Sequence, residues 1–332
     1  MAAAKSEPPR FSAIVPALVR NVEDADNLAR CLAALAACVP APVDIIVVDD
    51  GSRTPVTAAS AIVLRQPNAG PAAARNAGAR AATGDVLVFV DADIVVPPDT
   101  FAKLAAGFAA TPEAAAIWGT VTAAHPHAGL VSRYKNLTHR HFTLQQERET
   151  RHLTTMLAAI TRADFERVGG FDTRLRTVSV EDVELGRTLH ESGGRVLLDK
   201  TLAAEHRHRF TFLGAMRNDF HKARNHTRTT LSRRARGEQS VTVSGRGERR
   251  QLHYLLGVPL GVGAVAAALT GRWRLAASLT AGLVVWERDL LGFLEEEGGL
   301  AFALACVPLM AVERTTVAGA VVAGGVDFLR GR

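Results

Sequence analysis

Aromatic residues are scarce in this chain of 332 residues: thirteen Phe, three Trp and two Tyr make up 5% of it. Cysteine is scarcer still, with only Cys31, Cys38 and Cys306. An odd, scattered set without a CxxC pair excludes a disulfide framework and a Cys/His zinc site. It is the usage expected in a reducing compartment. The first residues, "MAAAKSEPPR", lack the apolar stretch of a secretory signal, so none is expected. No tandem repeat occurs. The chain is basic, with 39 Lys and Arg against 33 Asp and Glu, which implies a polyanionic partner. Yet the basic stretch lacks the interleaved aromatics of a base-stacking surface, so nucleic acid is not expected.

What the chain has in abundance is small apolar residue: hydrophobic types make up 48%. Buried strands are expected at 11–16 (FSAIVP), 43–48 (VDIIVV), 61–64 (AIVL) and 86–90 (VLVFV). Helical spacing over 22–38 and the Gly-bounded, Ala-rich 68–84 separate them. Alternating apolar strands and helices imply an α/β domain whose mostly parallel sheet lies between helices. Such sheets bind ligands beyond the carboxyl ends of their strands. Further on, 115–124 and 195–206 read as strands and 180–194 as a helix with a Gly stop. The basic segment 132–152 has mixed helical faces and reads as a solvated face, with a border to the acceptor or the membrane as the alternative.

Two of the strands end in acid. The second runs into Asp49-Asp50-Gly51-Ser52, and the fourth, "LVFVDADIVV", into Asp91 and Asp93. Buried carboxylates are costly unless paired or metal-bound. At a strand's end both members of such a pair can turn toward one ligand. Hard divalent cations take one or two carboxylates plus phosphate oxygens, so the pair points to a metal-phosphate site. The alternative for an isolated pair is a solvated turn.

These residues and several others resemble family 2 glycosyltransferases of the GT-A fold. The resemblance rests on Val48-Asp49-Asp50-Gly51-Ser52, Asn68-Ala69-Gly70 with Ala74-Arg75-Asn76-Ala77-Gly78, and Phe89-Val90-Asp91-Ala92-Asp93. It continues through Gly169-Gly170-Phe171-Asp172, Glu181-Asp182 with Leu185 and Arg187, and His206. It implies that Asp50 contacts the nucleotide base, that Asp91 lies near the ribose or base, and that Arg75 neighbours the diphosphate. It implies Asp93 as the metal ligand, with His206 as a second metal or diphosphate contact. Gly170, Phe171 and Glu181 belong to the substrate side, and Asp182 is the implied catalytic base. The expected activity is inverting transfer of a sugar from a nucleotide-diphospho-sugar, dependent on Mn2+ or Mg2+. The aromatic that normally follows the first strand is missing. The Gln-x-x-Arg-Trp motif of processive synthases is absent after the catalytic acid, which implies single addition.

The sequence changes character after about residue 215. Residues 222–250 hold nine Lys or Arg against Glu238 and Glu248, and 252–270 carries no formal charge. A spanning helix needs about 20 such residues. Shorter apolar stretches follow at 275–286, 298–312 and 315–326, the last two divided by Glu313-Arg314. The expected organisation is a flexible 1–10, a GT-A domain over 11–215, a basic juxtamembrane segment at 216–250, and membrane or interfacial helices over 251–332. The basic block fits an anionic membrane surface. The expected setting is the cytoplasmic face of the cell membrane, with a lipid or lipid-linked acceptor. Homo-oligomerisation is left open. Two other classes compete. A haloacid-dehalogenase-like phosphatase would use Asp91 as nucleophile and Asp93 as acid/base, and a non-catalytic basic scaffold would bind membrane alone.

Overall fold

A computed structural model describes residues 8–174, 180–237 and 246–331. The chain forms two compact units. One holds the residues up to Thr122 together with Arg148–Arg207, and the other holds Ala123–Glu147 and the residues from His208 onward.

The first unit contains β1 (Phe11–Ala17), α1 (Val22–Ala36), β2 (Asp44–Asp49), β3 (Ile62–Arg65), α2 (Pro71–Ala81), β4 (Val86–Val90), β5 (Ile94–Val95), α3 (Thr100–Ala110) and β6 (Ala114–Val121). The helix α4 (Leu130–Leu144) belongs to the second unit. The chain then returns for β7 (Glu149–Thr150), β8 (Leu157–Thr161), α5 (Arg162–Arg167), α6 (Glu181–Glu191) and β9 (Arg195–His206). The sheet order is β3-β2-β1-β4-β8-β6-β9-β5, with β7 on β9. The first four strands are parallel, whereas β8 lies antiparallel between β4 and β6.

The strands read as unbroken apolar runs because both faces are covered. In β4, Val86, Val88 and Val90 join a core with Leu28 and Leu32 of α1 and with Phe101 and Leu104 of α3. Leu87 and Phe89 point the other way, to Ala74 of α2, Phe165 of α5 and Leu185 of α6. The pairing of β9 with β6 shifts register between Trp118 and Thr120. A Cβ on the intervening Gly119 would stand 2.2 Å from the Leu202 carbonyl oxygen, so only glycine fits. Past this shift the end of β9 reaches β5, with His206 opposite Ile94.

The second unit is helical: α4, α7 (Phe212–Ala235), α8 (Arg246–Leu269), α9 (Trp273–Trp286), α10 (Arg288–Gly298) and α11 (Leu300–Leu329). Its core gathers Tyr134 and Leu137 of α4, Leu290 and Leu294 of α10, and Phe302, Cys306 and Met310 of α11. Segment 132–152 is therefore not the solvated face its charge suggests. Its α4 part buries Ser132, Asn136, Thr138 and His141 as well as its apolar residues.

The apolar stretches 298–312 and 315–326 form one helix. Glu313 and Arg314 do not break it because both are buried and paired. Arg314 donates to Glu287 and Glu313, while Lys135 donates to Glu313 and Asp219 at 2.8 Å each. Asp219 is pushed above the usual carboxylate range, chiefly by burial, although Lys135 opposes this. Among the described residues α11 alone is long and apolar enough to cross a membrane, and half of its apolar window is buried. The apolar part of α8 among these residues, Gly257–Leu269, is shorter than a span. Part of the basic block, 238–245, lies outside the described residues.

Candidate active site

The acidic strand ends occupy one region of the first unit, but they do different work. Asp49, fully buried at the end of β2, accepts from the backbone N–H groups of Ser52 and Val56 at 2.8 and 3.1 Å. Burial opposes its ionisation, and the Ser52 and Val56 hydrogen bonds and Arg65 outweigh it, holding the carboxyl below its ordinary range. Asp50 uses both oxygens locally. It accepts from the Gln66 side chain at 2.7 Å and from the N–H groups of Ala69 and Gly70, each at 2.9 Å. The structure thus places Asp50 as the brace of the loop that opens α2. Gln66 carried no signal in the sequence.

Arg75 lies in α2 and is only 4% exposed. Its guanidinium donates to Asp91 at 2.8 Å and to Glu181 at 3.1 Å, and it sits 5.5 Å from the centre of the Phe171 ring. This residue, expected beside a diphosphate, is a buried tie between the end of β4 and the start of α6. The Asp91 carboxyl is pushed up mainly by burial; Arg75 opposes this, while Asp93 and Glu181 reinforce it. Phe171 is a core residue, 3% exposed. Its ring meets Phe89 edge-on at 5.1 Å and lies 5.7 Å from that of Phe165.

A contact not anticipated from the sequence fixes the Gly-Gly-Phe turn. The Asn76 side chain donates to the Phe171 carbonyl at 2.8 Å and accepts from the Phe171 N–H at 2.9 Å. Gly170 has φ +72°, and a Cβ there would stand 2.7 Å from Asn76 Oδ1. Gly170 therefore serves this clasp. The only sequence signal for it was Asn76 within the Arg-Asn-Ala-Gly stretch.

Asp93 and His206 are brought together across the β5–β9 pairing. His206 Nε2 stands 3.9 Å from Asp93 Oδ2, with the two side chains 12% and 27% exposed. The Arg207 N–H donates to the Asp93 carbonyl at 2.8 Å and locks the approach. One carboxylate and one imidazole, both partly open to solvent, fit a divalent cation that takes its remaining ligands from phosphate oxygens and water. No group of three or more His, Cys, Asp or Glu suited to a metal occurs among the described residues. Asp182, in the first turn of α6, accepts from the N–H of Val183 at 2.8 Å. Glu181, Asp182 and Glu184 crowd that turn, where the helix dipole favours negative charge.

The family model for glycosyl transferase family 2 matches residues 12–169. A stretch of 180 residues is 33% identical to the "Pre-mycofactocin glycosyltransferase" of Mycobacterium tuberculosis, in strain CDC 1551 / Oshkosh and in strain ATCC 25618 / H37Rv alike. That match covers 50% of this chain and 37% of the relative, so the chain spans well under half the length of the curated relatives it matches. The mannosyltransferase PcManGT from Pyrobaculum calidifontis, solved in complex with GDP-Man and Mn2+, superposes with a TM-score of 0.53 at 20% identity. The superposition covers 98% of this chain and 88% of that one. Residues 12–169 thus match glycosyl transferase family 2, and the mixed sheet between helices is a GT-A fold.

Proposed function

We propose that the protein is a metal-dependent, inverting glycosyltransferase that adds one sugar from a nucleotide-diphospho-sugar to an acceptor hydroxyl. The observation that carries this reading is the juxtaposition of Asp93 and His206 at 3.9 Å, where a short strand meets the end of a long one. It sits in a chain with a family 2 domain and a fold shared with a protein solved with GDP-Man and Mn2+. A divalent cation held by Asp93 and His206 would neutralise charge on the departing diphosphate. The imidazole favours Mn2+ over Mg2+. Asp182 then removes the acceptor proton as the oxygen attacks the anomeric carbon. Arg75 holds Asp91 and Glu181 in place and so orients the nucleotide side. The phosphatase alternative is not favoured, because Asp91 is tied to a buried arginine and is poorly placed as a nucleophile.

The acceptor we propose is a lipid or lipid-linked molecule at the cytoplasmic face of the cell membrane, because the second unit is rich in apolar helix. The relative named for pre-mycofactocin supports a second reading with a different acceptor. A panel of nucleotide sugars with Mn2+ or Mg2+ tests both. Nucleoside diphosphate release is measured alone, with a membrane lipid extract, and with a pre-mycofactocin-type acceptor. Stimulation by lipid extract supports the first acceptor, and stimulation by the other alone removes it. Sugar transfer that survives Asp93→Ala and Asp182→Asn unchanged would falsify the enzymatic assignment.

A further inference from the structure

Helix α11 buries two charges beside its core residues and exposes apolar residues along its other side. Glu313 and Arg314 are buried at its middle. At steps of three or four residues along the opposite side, Leu304, Pro308, Gly319, Val322, Val326 and Leu329 are exposed, with half-buried Val312 and Thr315 between them. Leu304 is 59% exposed, Val322 67% and Leu329 81%. An amphipathic helix of a water-soluble domain exposes polar residues on that side instead. This one is built to meet lipid.

It is not built to pass through it. The inner side of α11 is lined by charged helices along its length. Near its start, Arg133 of α4 stacks 4.1 Å from the Phe302 ring, and Lys135 reaches Glu313. Along its second half α7 runs parallel, from Met216 at Thr316 to Arg224 at Asp327. That stretch of α7 exposes Arg217, His221 and Lys222. A spanning α11 would drag these outward-facing charges into hydrocarbon, where ionised side chains are rare and turn inward. At a rise of 1.5 Å per residue its 30 residues extend about 45 Å, well beyond a hydrocarbon core of about 30 Å.

We propose that the second unit binds an anionic membrane surface from one side, with α11 lying along that surface. The inference rests on the membrane-associated reading above. The same unit exposes a second feature suited to a membrane surface: at the start of α9, Trp273 is 69% exposed between exposed Arg272 and Arg274. A tryptophan at headgroup depth beside two arginines suits anionic lipid. Farther along α9, Val285 is also exposed, at 64%.

The test uses the full chain and sealed vesicles of zwitterionic lipid with and without an anionic lipid. Flotation should be strong with anionic vesicles and fall with added salt. Leu304→Glu with Val322→Glu should reduce the floated fraction about tenfold while circular dichroism stays unchanged. Single cysteines placed by Glu296→Cys, in the last turn of α10, and by Arg330→Cys, just past α11, flank α11, and the native cysteines are buried. A membrane-impermeant maleimide added outside should label both ends as fully as after detergent. Protection of one end means a spanning helix and overturns the proposal. So does flotation that the double variant leaves intact, or a variant whose only effect is to split a dimer. None of these readouts involves sugar. Donor turnover without flotation defeats this inference alone, and flotation without donor turnover defeats the transferase reading alone.

Discussion

Arg75 and Glu181 carry the sharpest prediction at the scale of single residues. Glu181 is 3% exposed and accepts from the Arg75 guanidinium at 3.1 Å. Removing one member of a buried pair leaves an uncompensated charge and costs about 3–5 kcal/mol. Arg75→Ala should therefore lower the urea midpoint of the first unit, followed by Trp118 fluorescence with Trp273 and Trp286 replaced by Phe. Asp182 should behave in the opposite way. Asp182→Asn keeps the side chain's size and an oxygen for the Val183 N–H. Turnover should drop about 100-fold or more in a nucleoside diphosphate release assay, and the midpoint should stay where it is. The sequence singled out Arg75, Asp91 and Glu181 together, because each stands in a motif. It could not show that the three touch, since 106 residues separate Arg75 from Glu181. Asp50 and Phe171 stood out in the sequence through their motifs, but their neighbours did not. Gln66, Ala69 and Gly70 complete the hydrogen bonding of one, and the aromatic core encloses the other.

At the scale of elements, strands β1, β2 and β4 were plain in the sequence because both faces of the sheet are covered, which leaves an unbroken apolar run. Two-residue β5 left no such pattern, yet it positions Asp93 against His206. Helix α11 was obscured for another reason: a Glu-Arg pair reads as a break until its partners on α4 and before α10 are known. The connection from β7 to β8 yields a pH prediction. His152 packs 5.5 Å from Trp118, and a Cβ on Gly186 of α6 would stand 2.7 Å from its backbone. Burial pulls its pKa down to about 4. Between about pH 6.5 and pH 4 the unfolded chain thus binds a proton that the folded unit refuses, so stability is complete above this window and declines as pH falls through it. The loss should approach about 3 kcal/mol by pH 4. His152→Gln should flatten that slope in urea titrations read at Trp118, and an unchanged slope would remove His152 as its source.

For the whole molecule, the decisive feature is that the second unit is discontinuous in sequence. Nothing in the composition of 123–147 marks it as belonging with the residues beyond 208. A chain cut after Arg207 keeps α4 but loses the helices that cover Tyr134, Leu137 and Lys135. Such a truncation should bind a hydrophobic dye and scatter light at concentrations where the full chain stays dispersed. A soluble, dye-silent product would show that α4 finds cover without α7, α10 and α11. Synthesis imposes the same exposure on every copy. Translation at about 5–20 residues per second places roughly ten to forty seconds between completion of α4 at Leu144 and of α11 at Leu329. Within that interval the first unit's last strand, β9, is completed, while the inner face of α4 still waits for its partners. Each newborn chain thus passes through a state with a finished sheet and an uncovered helix, and it is in that state that a chaperone or a nearby lipid surface has the most to protect.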